Sequence, residues 1–305
     1  MKVTGVIPRG YCKGVVRAIS IAKQAAATKH PLYILGMIVH NEYIVNALKD
    51  LGAITIEDAS KTRLELLDSI NEGTVIITAH GAGDDVKKKA LEKGLEVIDA
   101  SCPDVIKTHE LIKSSLAAGH EILYIGKNRH PESEGALSID PEHIHLIQKK
   151  DDFKNLYPHR SYVLTNQTTM SLYDVYSLCE EAKKVLPDVT ISQEICNATK
   201  IRQEAIASLE DDVDLVLIVG DPHSNNTKKL ASIAKEKAHK QTYMIESIQD
   251  LDLDWLKGKT HVAVSSGAST PTSLTNQLIA FLEAYDENQE ETQRLPDIHF
   301  EEILK

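Results

Sequence analysis

Short aliphatic runs of strand length recur along the whole chain, and most are separated by helix-like stretches. The runs are residues 3–7, 32–35, 74–77, 97–98, 122–125, 162–164, 215–219 and 261–264. The stretches between them carry apolar residues three and four apart, as in Val105, Thr108, Ile112 and Leu116, closed by Gly119 as a helix C-cap. Strands alternating with helices demand parallel sheets covered on both faces, so the fold class is α/β.

A chain of 305 residues with 42% hydrophobic content has core material for two or three domains and is not disordered. Its longest unbroken aliphatic run, 215–219, falls far short of the roughly 20 residues of a membrane span. Residues 1–7 read directly into a strand without a charged-then-apolar leader, so the expected location is cytoplasmic, with no membrane partner. The formal net charge is −11 and no basic stretch is present, which argues against nucleic acid as a partner. A small anion held by local dipoles is still allowed.

Polar clusters follow the aliphatic runs where plain turns would suffice. They include His40-Asn41, Ala79-His80-Gly81, Ser101-Cys102-Pro103, His130-Pro131-Glu132, Gln167-Thr168-Thr169, His223-Ser224-Asn225-Asn226 and Ser265-Ser266-Gly267-Ala268-Ser269. Ligands of open α/β sheets lie beyond the carboxyl ends of the strands. Seven clusters exceed the need of one small sheet, so several sheets are expected to point their carboxyl ends at one shared cavity.

Four cysteines in a chain of this kind suggest metal or catalytic use over a disulfide framework. Cys12, Cys102 and Cys196 lie 90 and 94 residues apart, which suggests three α/β modules with one cysteine each. The expected domains are 13–98, 99–195, and 196–285 joined by the N-terminal strand 1–12, followed by an acidic tail at 286–305. Each of the three cysteines stands just ahead of a helix-like stretch, where the positive end of the helix favours a thiolate. Each also has a cation four to six residues on: Arg17, Lys107, and Lys200 with Arg202. Cys179 differs, falling in one apolar stripe with Val175, Leu178, Ala182 and Leu186, and is expected in the core. Three such thiolates suit zinc with a histidine, or three corners of a cubane iron–sulfur cluster.

Of thirteen histidines, His40, His80, His130 and His223 fall in the strand-end clusters. With Thr168, Ser224, Asn225, Asn226 and Ser269 they supply many neutral donors and little fixed charge, a combination suited to a phosphate or diphosphate. Glu132 is a candidate general acid if its surroundings are dry. Gly81-Ala82-Gly83 begins like a dinucleotide fingerprint but lacks the third glycine, and no Walker loop is present.

Taken as a set, several motifs resemble the 4-hydroxy-3-methylbut-2-enyl diphosphate reductase family, also called LytB or IspH. They are Pro8-Arg9-Gly10-Tyr11-Cys12-Lys13-Gly14-Val15, Val39-His40-Asn41, Ala79-His80-Gly81, Ala100-Ser101-Cys102-Pro103, His130-Pro131-Glu132, Gln167-Thr168-Thr169, Cys196-Asn197-Ala198-Thr199 with Arg202-Gln203, and Gly267-Ala268-Ser269. The resemblance runs from Val3 to about Ala284. It implies three small parallel-sheet α/β domains in a pseudo-threefold trefoil around a central cavity. It also implies one [4Fe–4S] cluster per chain on Cys12, Cys102 and Cys196, with one open iron that binds the substrate's allylic hydroxyl. By the same resemblance His40, His80, Ser224, Asn226 and Ser269 bind diphosphate, with Asn225 beside them. His130 and Thr168 join the network around substrate and proton delivery, and Glu132 is the proton source. The implied reaction is reductive dehydroxylation of an allylic diphosphate to isopentenyl and dimethylallyl diphosphates, with flavodoxin or ferredoxin as electron donor. Ser224-Asn225-Asn226 stands where the family often has Ser-Ser-Asn, which leaves the role of Asn225 open. Two other readings of the same residues are a zinc-dependent hydrolase with Glu132 as base and a non-catalytic iron–sulfur sensor.

Overall fold

The computed structural model describes residues 1–192, 194–298 and 302–304. The chain divides into two compact units. One comprises Met1–Val16, His40–Ala47 and Asn197–Lys305, the other Arg17–Val39 and Leu48–Cys196.

The second unit holds two four-stranded parallel sheets. The first contains β2 (Leu32–Leu35), β3 (Ala53–Ile56), β4 (Thr74–Ile77) and β5 (Glu96–Asp99), in the order β3-β2-β4-β5. The other contains β6 (Glu121–Ile125), β7 (Ile144–Ile147), β8 (Tyr162–Asn166) and β9 (Thr190–Ile191), in the order β7-β6-β8-β9. The first unit holds one such sheet, β1 (Lys2–Gly5), β12 (His261–Ser266), β10 (Leu215–Val219) and β11 (Gln241–Ile245), again parallel and in that order. Helices alternate with the strands: α1 (Lys13–Ala26), α2 (Glu42–Asp50), α3 (Arg63–Leu66), α4 (Asp84–Glu92), α5 (Pro103–Ala117), α6 (Pro131–Leu137), α7 (Leu172–Val185), α8 (Asn197–Ala207), α9 (Asn225–Glu236) and α10 (Thr272–Ala284).

Burial explains which strands are plain in the sequence. Every residue of β4, β6, β8, β10 and β12 is buried, as helices on both faces require, so these strands read as near-continuous aliphatic runs. The strands not marked by such runs are β3, β7, β9 and β11, and all four lie at sheet edges. An edge strand is covered less fully and tolerates residues such as Thr55, His145 and Gln241.

The central strands also extend past their aliphatic part into polar residues. Thr165 and Asn166 end β8, and Ser265 and Ser266 end β12, all fully buried. Cys179 packs in the core of the β6–β8 sheet with Leu164, Val175 and Ala182. The tail is anchored to the first unit at the described positions. Gln249 Nε2 donates to the Pro296 carbonyl at 2.7 Å, and Tyr11 Oη donates to that of the fully buried Ile303 at 2.5 Å. Residues 299–301 and 305 of that tail lie outside the described set. Among the described residues no helix is long and apolar enough to cross a membrane.

Candidate active site

In the first unit, Cys12 directly precedes α1 and is half-buried. Its amide donates to the Ala268 carbonyl at 3.1 Å, tying it to the loop that leaves β12, and its sulfur accepts from Val15 N at 3.5 Å in the manner of a cap. The approach to Cys12 turns at Gly10, whose φ of +71° lies in the left-handed region and whose missing Cβ leaves room for Thr272. Gly10 is gripped on both sides, its amide by Ser266 Oγ at 2.7 Å and its carbonyl by the buried Arg202 Nη2 at 2.7 Å.

Ser269, next to Ala268, donates its hydroxyl to the His40 carbonyl at 3.0 Å, so these two candidate residues meet. Asn41 Oδ1 then accepts from Ile44 N and closes the first turn of α2. After β10, Ser224 caps α9 by accepting from Thr227 N, and Asn225 and Asn226 form its first two positions, all buried. Both polar atoms of the Asn226 amide are buried with no partner among the described residues. An unsatisfied buried amide costs about 1–3 kcal/mol, which a bound ligand offsets. His223, in the same loop, is instead exposed and bonded to Asp221.

In the second unit, Cys102 is the N-cap of α5 with Pro103 at the first helical position. Its amide donates to the Ala79 carbonyl at 2.9 Å, and Ala79 N donates to the Ile38 carbonyl at 3.2 Å. The loops that leave β2, β4 and β5 are thereby laced together through their backbones. His80, next to Ala79, stands edge-on to His130 with ring centroids 5.4 Å apart. His130 caps α6, its Nδ1 accepting from Glu132 N at 3.1 Å, which leaves the ring proton on Nε2.

Glu132 is 3% exposed. Its two oxygens accept from Thr168, one from the amide at 2.8 Å and one from the hydroxyl at 2.9 Å. Burial pushes its carboxyl up to about 7, the two Thr168 bonds pull against that, and the Asp104 charge adds to the rise. Thr168 in turn accepts at its carbonyl from Cys196 N at 3.3 Å, and Cys196 directly precedes α8. Glu132, Thr168 and Cys196 are therefore one linked series.

Gln167, within the Gln167-Thr168-Thr169 cluster, carries no role that its local sequence reveals. Gln167 is fully buried, and its Oε1 accepts from Lys127 N at 3.0 Å while its Nε2 donates to Thr169 Oγ1 at 2.8 Å. It fastens the loop that carries His130 to the loop that carries Thr168.

A pattern joins all three cysteines. Each amide donates to the carbonyl of a strand-end loop: Cys12 to Ala268 beside Ser269, Cys102 to Ala79 beside His80, and Cys196 to Thr168 itself.

A Bacillus cytotoxicus protein named 4-hydroxy-3-methylbut-2-enyl diphosphate reductase is 48% identical across the whole of this chain and 98% of its own length. One of the same name from Bacillus mycoides is 50% identical over 94% of this chain and 91% of its own. The solved structure of the E-1-hydroxy-2-methyl-but-2-enyl-4-diphosphate reductase from Plasmodium falciparum superimposes with a TM-score of 0.86 at 30% identity, covering 92% of this chain and 87% of that one. A second solved structure, of (E)-4-hydroxy-3-methyl-but-2-enyl diphosphate reductase, the terminal enzyme of the non-mevalonate pathway, matches with a TM-score of 0.67 at 31% identity, covering 93% of this chain and all of that one. The family model described as LytB protein matches residues 3–283, and the chain belongs to the LytB family.

Proposed function

We propose that this chain is the reductase that converts 4-hydroxy-3-methylbut-2-enyl diphosphate to isopentenyl and dimethylallyl diphosphates. The C–O bond of the allylic hydroxyl breaks, two electrons and two protons enter, and water leaves. The observation that carries the reading is Glu132, a buried carboxyl poised near neutrality and held by the neutral donors of Thr168. An acid with that value is protonated for part of the time at cytoplasmic pH and can release its proton there.

The donor set fits an iron–sulfur cluster open on one side. Cys12, Cys102 and Cys196 are half-buried at helix starts, while Cys179 is packed among apolar side chains in a core. When bound, the cluster supplies the electrons and a Lewis-acidic iron for the hydroxyl.

The chain's own groups do the rest. Protonated at Oε1, Glu132 donates to Thr168 Oγ1, which turns its own hydrogen toward the leaving oxygen. His130, protonated at Nε2, supplies a neutral donor. The diphosphate is held by Asn226, whose amide has both atoms to offer, by the hydroxyls of Ser224 and Ser269, and by His40 and His80. Ser269 must rotate away from the His40 carbonyl to take part. The first amides of α9 add the positive end of a helix. The electron donor fitting a cluster of this kind is a small redox protein of the flavodoxin or ferredoxin type.

The test is iron, zinc and acid-labile sulfide per chain on protein purified without oxygen, followed by turnover of the allylic diphosphate with a strong reductant. About three to four iron with matching sulfide, and formation of both isoprenoid diphosphates, support the reading. Roughly one zinc without sulfide sends it back to hydrolysis. Cys102→Ser is expected to lose iron and all turnover together.

A further inference from the structure

Each of the three cysteines is followed on its own helix by one cation that grips the chain just ahead of a different cysteine. Arg17 of α1 donates through Nη1 to the carbonyl of Ser101 at 2.8 Å, one residue before Cys102. Lys107 of α5 bonds Glu194 Oε2 at 3.0 Å, two residues before Cys196. Arg202 of α8 donates through Nη2 to the carbonyl of Gly10 at 2.7 Å, two residues before Cys12. In chain order, the helix after Cys12 holds the approach to Cys102, the helix after Cys102 holds the approach to Cys196, and the helix after Cys196 holds the approach to Cys12.

The gripped segments are themselves stiffened, so each cation acts on a small framed element. Ser101 N donates to Asp99 Oδ1 at 2.9 Å, and Asp99 is paired with Lys87. The Glu194 side chain is 10% exposed and its amide donates to Asn166 Oδ1 at 3.0 Å. Gly10 N donates to Ser266 Oγ.

We propose that Arg17, Lys107 and Arg202 are positioning residues, each fixing the cysteine next in this cycle rather than activating the thiol at the head of its own helix. The inference rests on the reading that Cys12, Cys102 and Cys196 hold an iron–sulfur cluster. A cluster with only three protein ligands depends on three sulfurs being presented together. A hydrogen bond to a charged group holds a segment in place more firmly than one between neutral groups.

The two roles differ in which cysteine responds and in which direction. A cation that activates its own helix's thiol makes that thiol react more slowly when removed. A cation in the cycle makes the next thiol react faster when removed, because the segment that buries it is freed.

The experiment is alkylation of the cluster-free full-length chain with iodoacetamide under anaerobic conditions, read at each cysteine by peptide mass spectrometry. Arg17→Met is expected to speed Cys102 about threefold and Lys107→Met to speed Cys196 about twofold, small effects because both cations are exposed. The buried Arg202 is replaced by lysine, which keeps the charge in the fold, and Cys12 is expected to react about tenfold faster.

In the cluster-loaded protein, loss of the cluster to a chelator is expected to quicken in Lys107→Glu and to return toward the wild-type rate when Glu194→Lys is added. A general loss of stability would not be repaired by that exchange. Slower reaction at the cysteine of the same helix, or no change at any cysteine, would overturn the positioning role. Wild-type protein without iron and sulfide would instead overturn the cluster reading itself.

Discussion

Glu121 begins β6 and Glu132, eleven residues on, lies in the first turn of α6, and their surroundings push their carboxyls in opposite directions. Glu121 begins β6 at the amino edge of its sheet, where His145 Nε2 lies 2.7 Å away and Arg160 pairs with it. Burial pushes that carboxyl up, but the hydrogen bonds from His145 and Arg160 and the Arg160 charge outweigh it and hold it below the ordinary value. Glu132 lies past the carboxyl end of the same strand, and its burial is opposed only by the neutral donors of Thr168. Burial alone therefore does not set a carboxyl; the charge of its donors does. The carboxyl at the start of β6 is held ionised by its charged donors, while the one in the first turn of α6 keeps its proton to higher pH.

The largest effect that tests this contrast is on turnover. Glu132→Gln keeps size and burial but removes the proton, and kcat/KM is expected to fall by about 10²–10⁴ with iron content unchanged. Glu121→Gln is expected to leave kcat/KM within about twofold, since it lies at the far end of the strand. Reduction at the wild-type rate by Glu132→Gln would end its assignment as the proton source. In the wild type, kcat/KM should hold below pH 7 and decline above it, as an acid titrating near 7 in the free enzyme requires.

Stability should show the same contrast with opposite slopes. Glu132 titrates near 7 when folded and near 4.5 in its ordinary state, so the folded chain binds its proton more tightly. That preference stabilises the fold below about pH 4.5 and is lost as pH rises through 7, a difference of about 3 kcal/mol. Glu132→Gln is therefore expected to gain stability over the wild type at pH 8, with the gain gone by about pH 4. Glu121 is held below its ordinary value, so its contribution is present above pH 4.5 and is lost as pH falls through the folded value. Glu121→Gln should accordingly be less stable at pH 7, and the deficit should vanish in acid. Urea unfolding of both variants from about pH 2 to pH 8 measures this, and parallel curves would refute it.

The amino-acid sequence shows the carboxyl-end chemistry better than the amino-end bracing, for a physical reason. Central strands need apolar residues on both faces, so β4 and β10 coincide with aliphatic runs, and the polar clusters after them stand out by contrast. Helix starts are equally local: Pro103 and Pro131 mark α5 and α6, and Cys12, Cys102 and Cys196 each stand directly before a helix. Edge strands such as β7 and β11 carry His145 or Gln241 and lack that contrast. Side-chain reach is the least visible, because it joins residues far apart in the chain. Nothing local shows that Arg202 holds the carbonyl of Gly10, 192 residues away, or that Gln167 ties Lys127 to Thr169. His223 shares its motif with Ser224 and Asn226 yet points to solvent, since one residue of loop geometry separates a buried cap from an exposed ring.

A narrower test concerns the donors of Glu132. Thr168→Val removes the hydroxyl bond and keeps the amide bond, so the carboxylate loses one of two groups that favour it. The alkaline decline of kcat/KM is expected to move upward by about one pH unit, and the plateau to fall about tenfold as the relay through Oγ1 is lost. A lower plateau with an unmoved decline would show that the hydroxyl relays the proton without setting the acid.

The smallest expected effect lies at the other end of the strand and is the sharpest check on its independence. Arg160 is half-exposed, so its pairing with Glu121 is screened by solvent and contributes little. Arg160→Met should lower stability only slightly at pH 7, and the loss should disappear as Glu121 takes up its proton below pH 4.5. Glu121 keeps His145 as a partner, which limits the damage. Because Arg160 and Glu121 lie at the far end of the buried β6 from the loop that leads to Glu132, no change is expected in kcat/KM or in its decline above pH 7. A shift of that decline in Arg160→Met would mean that the charge at the amino end is felt at Glu132, and the two ends of β6 would have to be treated as one coupled system.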